Sequence, residues 1–170
     1  MAKSGQIRVQ KTGDIMQAVT IEEWQEKYHE DFISLSIEWL EKYVVVEPID
    51  REIIHNPERH IFSRGGKIFF ARVNNKTVGT VAMIPLDEGV FELAKLAVTE
   101  KYQGLRIGQR LMERCIAFAE VSQAKKIILF TTDVLVPAVN LYRRCGFVEV
   151  ALTGNKYAEA DMRMELTLSS

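Results

Sequence analysis

The stretch from Leu93 to Met112 constrains the fold more than any other part of the chain. Leu93–Val98 is apolar except for Lys95 and reads as a strand. Gln103-Gly104-Leu105-Arg106-Ile107-Gly108 follows as a short polar loop with two glycines. A helix opens from Gly108, with Leu111, Met112, Cys115, Ile116 and Ala119 on one face. Any helix start carries N–H groups without intrahelical partners and the positive end of the helix dipole. Glycines let a backbone approach a ligand closely. Strand, loop and helix in this order therefore make a candidate site for an anion or a phosphate. Two common phosphate motifs are excluded. No Gly-x-x-x-x-Gly-Lys-Ser/Thr run occurs, and Gly104-x-x-x-Gly108 is not the dinucleotide fingerprint.

The neighbouring segments extend this unit. Asp31–Tyr43 places Phe32, Leu35, Trp39, Leu40 and Tyr43 near a helical period. Glu47-Pro48-Ile49-Asp50 breaks that helix, Asp50 is a suitable N-cap for a short helix through His55, and Asn56-Pro57 begins a turn. Ile68–Val73 and Thr77–Ile84 are apolar runs joined by Asn74-Asn75-Lys76, which predicts a hairpin. Asp87-Glu88-Gly89 is a second tight turn, leading into a strand over Val90–Val98. Lys126–Thr132 reads as a short strand in a covered parallel pair. Val90–Thr132 is thus a β-α-β unit with a right-handed crossover. A helix over Val136–Cys145 and strands over Phe147–Ala151 and Asp161–Leu168 complete the pattern. Gln6–Gln10 alternates and could add a strand.

Bulk properties exclude several classes. A chain of 170 residues suits one domain with one core. The net charge is −1 and no long basic block exists, so no nucleic-acid partner is expected. Cys115 and Cys145 fall within predicted helices and read as buried thiols, which fits a cytoplasmic location. No run approaches the ~20 apolar residues of a membrane span, and the first residues lack the apolar core of a signal peptide. His29, His55 and His60 show no metal spacing, so no metal is expected, and all three read as surface residues.

Three features together resemble the GCN5-related N-acetyltransferase (GNAT) superfamily. Gln103–Gly108 is similar to its acyl-CoA signature Gln/Arg-x-x-Gly-x-Gly/Ala, with Arg106 in place of the fourth-position glycine. If that position needs a positive φ, Arg106 is strained there. Pro137–Phe147 resembles the family's late helix, including Asn140 two residues before Tyr142. Glu92 lies eleven residues before Gln103, the offset of the strand glutamate that serves as general base in histone-type members. The resemblance implies a single α/β (α+β) domain over residues 16–170, with residues 1–15 as an extension or extra strand. Its sheet would be mixed and mostly antiparallel, with a central splayed parallel pair and helices on both faces. The family's first strand matches Ala18–Trp24.

The same resemblance implies transfer of an acetyl group from acetyl-CoA to a primary amine of a small molecule, by direct attack in a ternary complex. Backbone donors of Gln103, Gly104, Leu105, Arg106, Ile107, Gly108 and Gln109 would meet the CoA phosphates. Leu96, Ala97 and Val98 would pair with the pantetheine arm as an added strand, and Asn140 would hydrogen-bond it. Tyr142 would protonate the departing CoA thiolate, a task suited to a phenol; packing of its ring is the plain alternative. Glu92 would take the proton of the arriving amine, or else it is a strand-end carboxylate in solvent or paired with Lys95 or Arg72. Arg106 is either a phosphate ligand or a solvated helix-start residue. Trp39 and Tyr43 would face the acceptor groove in this fold or pack in the core. Acceptor contacts would come from Asp31–His60 and Thr153–Ala158. A protein or peptide acetyltransferase and a non-catalytic acyl-CoA-binding regulator are the rival readings, and a homodimer is left open.

Overall fold

Two asparagines set the first register of the sheet. Asn74 and Asn75 both adopt left-handed backbone, with φ of 50° and 64°, as both central residues of a strand-matching two-residue turn must. They join β2 (Lys67–Val73) to β3 (Lys76–Pro85) as an antiparallel hairpin; Lys76, expected in the loop, already belongs to the strand. This computed structural model describes residues 18–169. The expected extension over 1–15, with its alternating run Gln6–Gln10, lies outside the described residues.

β1 (Thr20–Glu23) flanks β2 antiparallel, and β4 (Val90–Val98) flanks β3 antiparallel. β5 (Lys126–Thr131) runs parallel to β4, and β7 (Met162–Thr167) and β6 (Val148–Val150) close the far side. The sheet order is β1-β2-β3-β4-β5-β7-β6, with β4–β5 the parallel pair. The expected mixed, mostly antiparallel sheet is what forms.

Helices cover both faces. α1 (His29–Tyr43), α2 (Pro48–His55) and the one-turn α3 (Pro57–His60) pack Phe32, Leu40, Ile53 and Ile54 against Ile68, Phe70, Ala82 and Ile84. α4 (Ile107–Val121) and α5 (Val136–Arg144) lie opposite, with Leu111, Met112, Cys115 and Val139 against Phe69, Val81, Met83 and Leu93. Adjacent residues of β2 and β3 thus enter different cores, so the centres of both strands, Ile68–Ala71 and Val81–Ile84, are continuous apolar runs. Gly79 lets α4 come close, because a Cβ there would meet Leu111 Cδ1 at 3.1 Å.

Several expectations need correction. Asp50 does not cap α2. Pro48 occupies the first turn, Glu47 is the capping residue, and the Glu47 N–H donates to Asp50 Oδ2 at 2.9 Å. Proline's fixed φ suits a first helical position, which moves the start ahead of Asp50. α4 begins at Ile107 rather than Gly108. Asn56-Pro57 opens a helical turn, not a plain turn. Cys115 is buried, but Cys145 ends α5 and is only half-buried.

β4 is irregular. Thr80 pairs with Ala97 but Ala82 pairs with Ala94, so Lys95 and Leu96 share Val81 as their opposite number. Lys95 has φ 58°. The pattern is a β-bulge, in which the extra residue re-aims a side chain.

Candidate active site

The parallel pairing of β4 and β5 is short. It covers Val90↔Lys126, Phe91↔Ile127 and Glu92↔Ile128 and then stops. Beyond Glu92, β4 continues with β3, while β5 continues with β7. A cleft with about 110 Å³ of accessible space opens between them, walled by Leu93–Ala97, Phe130 and Thr131, with Tyr142 and Trp39 from the helices. Backbone polar groups on the inner edges of the splayed strands lack ladder partners there, and buried amides demand partners. Ser36 Oγ and Glu92 Oε1 are buried without a hydrogen-bond partner among the described residues, and both residues line this cleft.

Glu92 is 1 % exposed, not a solvated strand-end residue. The Tyr157 hydroxyl donates to its Oε2 at 2.8 Å. Burial, reinforced by this carboxylate, pushes the Tyr157 hydroxyl well up, so it stays a donor. Lys156 Nζ lies 2.6 Å from Oε1, outside hydrogen-bond geometry. Neither expected partner is used. The bulge turns Lys95 to a buried ion pair with Asp50, and Arg72 Nε instead approaches Glu22 Oε2 at 3.6 Å. Lys95 Nζ also sits 4.9 Å from the Tyr157 ring centre.

Tyr142 is mostly buried, with its ring against Phe147 at 6.3 Å, and it lines the cleft. Burial pushes its hydroxyl up to about 12. Packing and a cleft-facing position thus coexist in one side chain.

The loop before α4 is exposed on one side. Gln103 Nε2 donates to Val98 O at 3.0 Å and ties the loop to the end of β4. Gly104 has φ 79°, and a Cβ there would meet nothing within 4 Å. Arg106 sits at φ 60°, ψ 20°, immediately before α4. The position that carries glycine in the acyl-CoA signature is left-handed in this chain, and Arg106 bears the strain. Ile107 is buried and Leu105 half-buried. At Gly108 a Cβ would meet Leu141 Cδ2 at 3.1 Å. Gln109 donates to Glu113 Oε1 at 3.1 Å, and Asn140 is exposed on α5.

The sequence of residues 20–147 matches the Acetyltransferase (GNAT) family. The chain belongs to the GNAT acetyltransferase family. It is 32% identical over 123 residues to an uncharacterised N-acetyltransferase of Schizosaccharomyces pombe, covering 69% of this chain and 75% of that one. It is 30% identical over 115 residues to an N-alpha-acetyltransferase of Sulfurisphaera tokodaii, covering 60% and 68%. Among solved structures, a GNAT-family acetyltransferase of Staphylococcus aureus Mu50 superposes with a TM-score of 0.83 at 24% identity, covering 89% of this chain and 100% of that one. The PaiA N-acetyltransferase of Thermoplasma acidophilum, solved with coenzyme A, superposes at 0.68 with 16% identity, covering 88% and 99%. As a GNAT protein the chain is an acyltransferase that acts on amines.

Sequence reading weighed Lys95 beside Glu92 and gave the acceptor side only as the ranges Asp31–His60 and Thr153–Ala158; it did not single out Glu47, Lys156 or Tyr157 as the residues around Glu92 in this GNAT site. Glu47 accepts the Ala158 N–H at 2.7 Å and the Glu159 N–H at 3.3 Å, which pins the segment before β7 over the cleft. Asn155 shapes that segment by accepting the Tyr157 N–H at 2.9 Å. Pro48 followed by Asp50 was the available signal for the α2 end of this network. Nothing local signalled Tyr157. Trp39 lines the cleft and packs against Tyr43, with the ring centres 5.2 Å apart and the planes tilted by 45°. His29 and His60 are not plain surface residues. His29 sits 5.1 Å from the Trp24 ring and within 3.3 Å of Ile54 O, and His60 lies 3.1 Å from Glu52. Among the described residues no group of three or more His, Cys, Asp or Glu could hold a metal ion, and no helix is long and apolar enough to cross a membrane.

Proposed function

We propose that the chain is an acetyl-CoA-dependent N-acetyltransferase that acetylates a primary amine of a small molecule by direct transfer in a ternary complex, within one domain spanning residues 16–170 and in the cytoplasm. The splay of β4 from β5 directly after Glu92, with Tyr142 facing the same cleft, carries this reading. Acetyl-CoA supplies an activated acyl carbonyl and a thiolate leaving group.

The chain's own groups fit each requirement. The free edge of β4 at Leu96, Ala97 and Val98 suits the amides of a pantetheine arm. N–H groups from Gln103, Gly104, Leu105, Arg106, Ile107, Gly108 and Gln109 suit the pyrophosphate, with the Arg106 guanidinium at hand for a phosphate. Asn140 would hydrogen-bond the arm from α5. Glu92 accepts the proton of the incoming ammonium. The amine nitrogen then bonds to the acyl carbon as the carbon–sulfur bond breaks, and the nitrogen's second proton is lost by way of solvent, which in turn restores the proton that Tyr142 gives up. Tyr142 gives its proton to the sulfur, and its high pKa keeps that proton in place until then.

The Sulfurisphaera relative is named an N-alpha-acetyltransferase, which supports a second reading with a peptide amine as acceptor. CoA release in the presence of acetyl-CoA and a panel of alkylamines, polyamines, aminoglycosides and peptides tests both. Release with small amines supports the first reading, and release with peptides alone supports the second. Acetyl-CoA binding with no release from any amine would instead mark a non-catalytic binder.

A further inference from the structure

Glu92 is the one carboxylate of the cleft held at the splay, and its two oxygens are treated differently. Oε2 receives a well-formed hydrogen bond from Tyr157 at 2.8 Å. Oε1 is approached to 2.6 Å by Lys156 Nζ, yet it is buried and without a hydrogen-bond partner among the described residues. A buried carboxylate oxygen without a partner is costly. Lys156 itself is about one-third exposed, with its side chain at 32 %. Its ammonium is 5.4 Å from the Tyr157 ring centre. Lys95, the lysine that lines the cleft among the described residues, is committed to buried Asp50 and cannot serve Oε1. The cation beside Oε1 is therefore the Lys156 ammonium, a primary ammonium on an unbranched alkyl stem that makes a close ionic contact without a formed hydrogen bond.

We propose that Lys156 is a built-in stand-in for the acceptor: its ammonium holds the place beside Glu92 that the substrate amine takes, and it selects for unbranched primary alkylamines that can displace it. This rests on the reading of Glu92 as the group that accepts the acceptor's proton. Lys156 is well suited to yield. Its contact with Oε1 is close but misaligned, and partly exposed ion pairs are weak. The segment that carries it stays anchored when it leaves, because Glu47 holds the Ala158 and Glu159 N–H groups and Asn155 holds Tyr157. A secondary or α-branched amine adds bulk where the Lys156 stem has only methylenes.

Steady-state acetylation of n-butylamine and of its α-branched isomer sec-butylamine tests the proposal, in wild type, Lys156→Met and Lys156→Arg. Removal of the competing ammonium should lower the n-butylamine KM about threefold to fivefold in Lys156→Met, the scale of a partly exposed ion pair. Lys156→Arg should keep the wild-type KM or raise it. The acetyl-CoA Kd should be the same in all three, and n-butylamine should be preferred to sec-butylamine. Lys156→Gln, also neutral, serves if the methionine variant does not fold. The gain must vanish when Glu92→Gln is added to Lys156→Met, because a structural effect would survive that change. An unchanged or raised n-butylamine KM in folded Lys156→Met overturns the proposal, as does acetylation of neither amine. If Glu92→Gln alone turns over as fast as wild type, the reading of Glu92 fails first and separately.

Discussion

One wall of the candidate site is a single unbroken segment, Leu96 through Gln109, which leaves the cleft after Ala97, whereas the other gathers Glu47, Asp50, Glu92, Lys95 and Tyr157 from distant parts of the chain, with Lys156 against Glu92. The first wall offers mostly backbone. Its geometry follows from local conformation: the end of β4, left-handed Gly104 and Arg106, and the first turn of α4. The second wall offers side chains, and each is placed by a partner far away in sequence. Lys95 needs Asp50, Tyr157 needs Glu92, and the segment before β7 needs Glu47. A backbone wall suits a ligand common to a whole family, and a side-chain wall suits one that differs between members. Substitutions should therefore divide cleanly between binding of acetyl-CoA and handling of the acceptor.

The largest effect expected is on stability. Asp50→Ala strands the buried Lys95 ammonium, and breaking a buried pair typically costs roughly 3–5 kcal/mol. Chemical denaturation should show that loss. Pairing Asp50→Asn with Lys95→Met should recover most of it. An Asp50→Ala protein as stable as wild type would mean that the charged wall is not held by its ion pair.

Gly108→Glu should strike the backbone wall alone. The side chain meets Leu141 and puts a negative charge at the head of α4. Losing two charge-assisted hydrogen bonds weakens binding at least about a hundredfold. Calorimetry with acetyl-CoA reads this directly, while thermal stability should change little. Unimpaired binding would place the CoA site elsewhere.

Tyr142 stands where the two walls meet, so its variant should separate chemistry from binding. Tyr142→Phe should lower kcat about a hundredfold and leave the acetyl-CoA Kd in place. Because burial holds the hydroxyl up to about 12, it stays protonated through neutral and mildly alkaline conditions. Wild-type kcat should thus show no fall from loss of this proton up to about pH 10. An alkaline fall that disappears in Tyr142→Phe would show that the hydroxyl ionises earlier than its burial implies.

The smallest effect serves as a control outside both walls. Burial opposes ionisation of Glu165 on β7, but hydrogen bonds from Arg163 and Lys126 outweigh it, and its pKa is lowered. A carboxylate lowered on folding stabilises the protein above its unfolded pKa, and that contribution fades as pH falls through the folded value. Glu165→Gln should flatten part of the acid decline in melting temperature and leave both Kd and KM unchanged at neutral pH.

The difference between the walls also explains what could be read from the chain. Hairpin, β-α-β unit and both helical faces were legible, because periodicity and turn residues such as Asn74-Asn75 encode them locally. The GNAT resemblance reached Gln103–Gly108 and Tyr142 for the same reason. Lys95 was one of the alternative partners weighed for Glu92, which lies three residues before it on one strand. The bulge sends it to Asp50, and no local pattern announces a bulge. Asp50 itself was displaced from the cap by Pro48, whose effect is local and could have been weighed. Tyr157 sits in a segment with no periodic signal, and only the folded chain brings it to a carboxylate sixty-five residues earlier.

The bulge at Lys95 also acts as a change of phase. Before it, Leu93 points to the core under α4; after it, Leu96 and Val98 point to that same core, so the strand counts by three once and by two otherwise. One residue thereby inverts the parity of everything that follows, up to the loop at Gln103. Straightening the bulge with every residue kept would exchange inside for outside over Leu96–Val98, whereas loss of the one extra residue restores simple alternation and leaves Leu96 and Val98 on the core they already face. Substitutions along β4 test side chains, but deletion of Lys95 would test the arithmetic of the strand itself: the core pattern should survive, and what is lost is the ammonium that the bulge sends to Asp50.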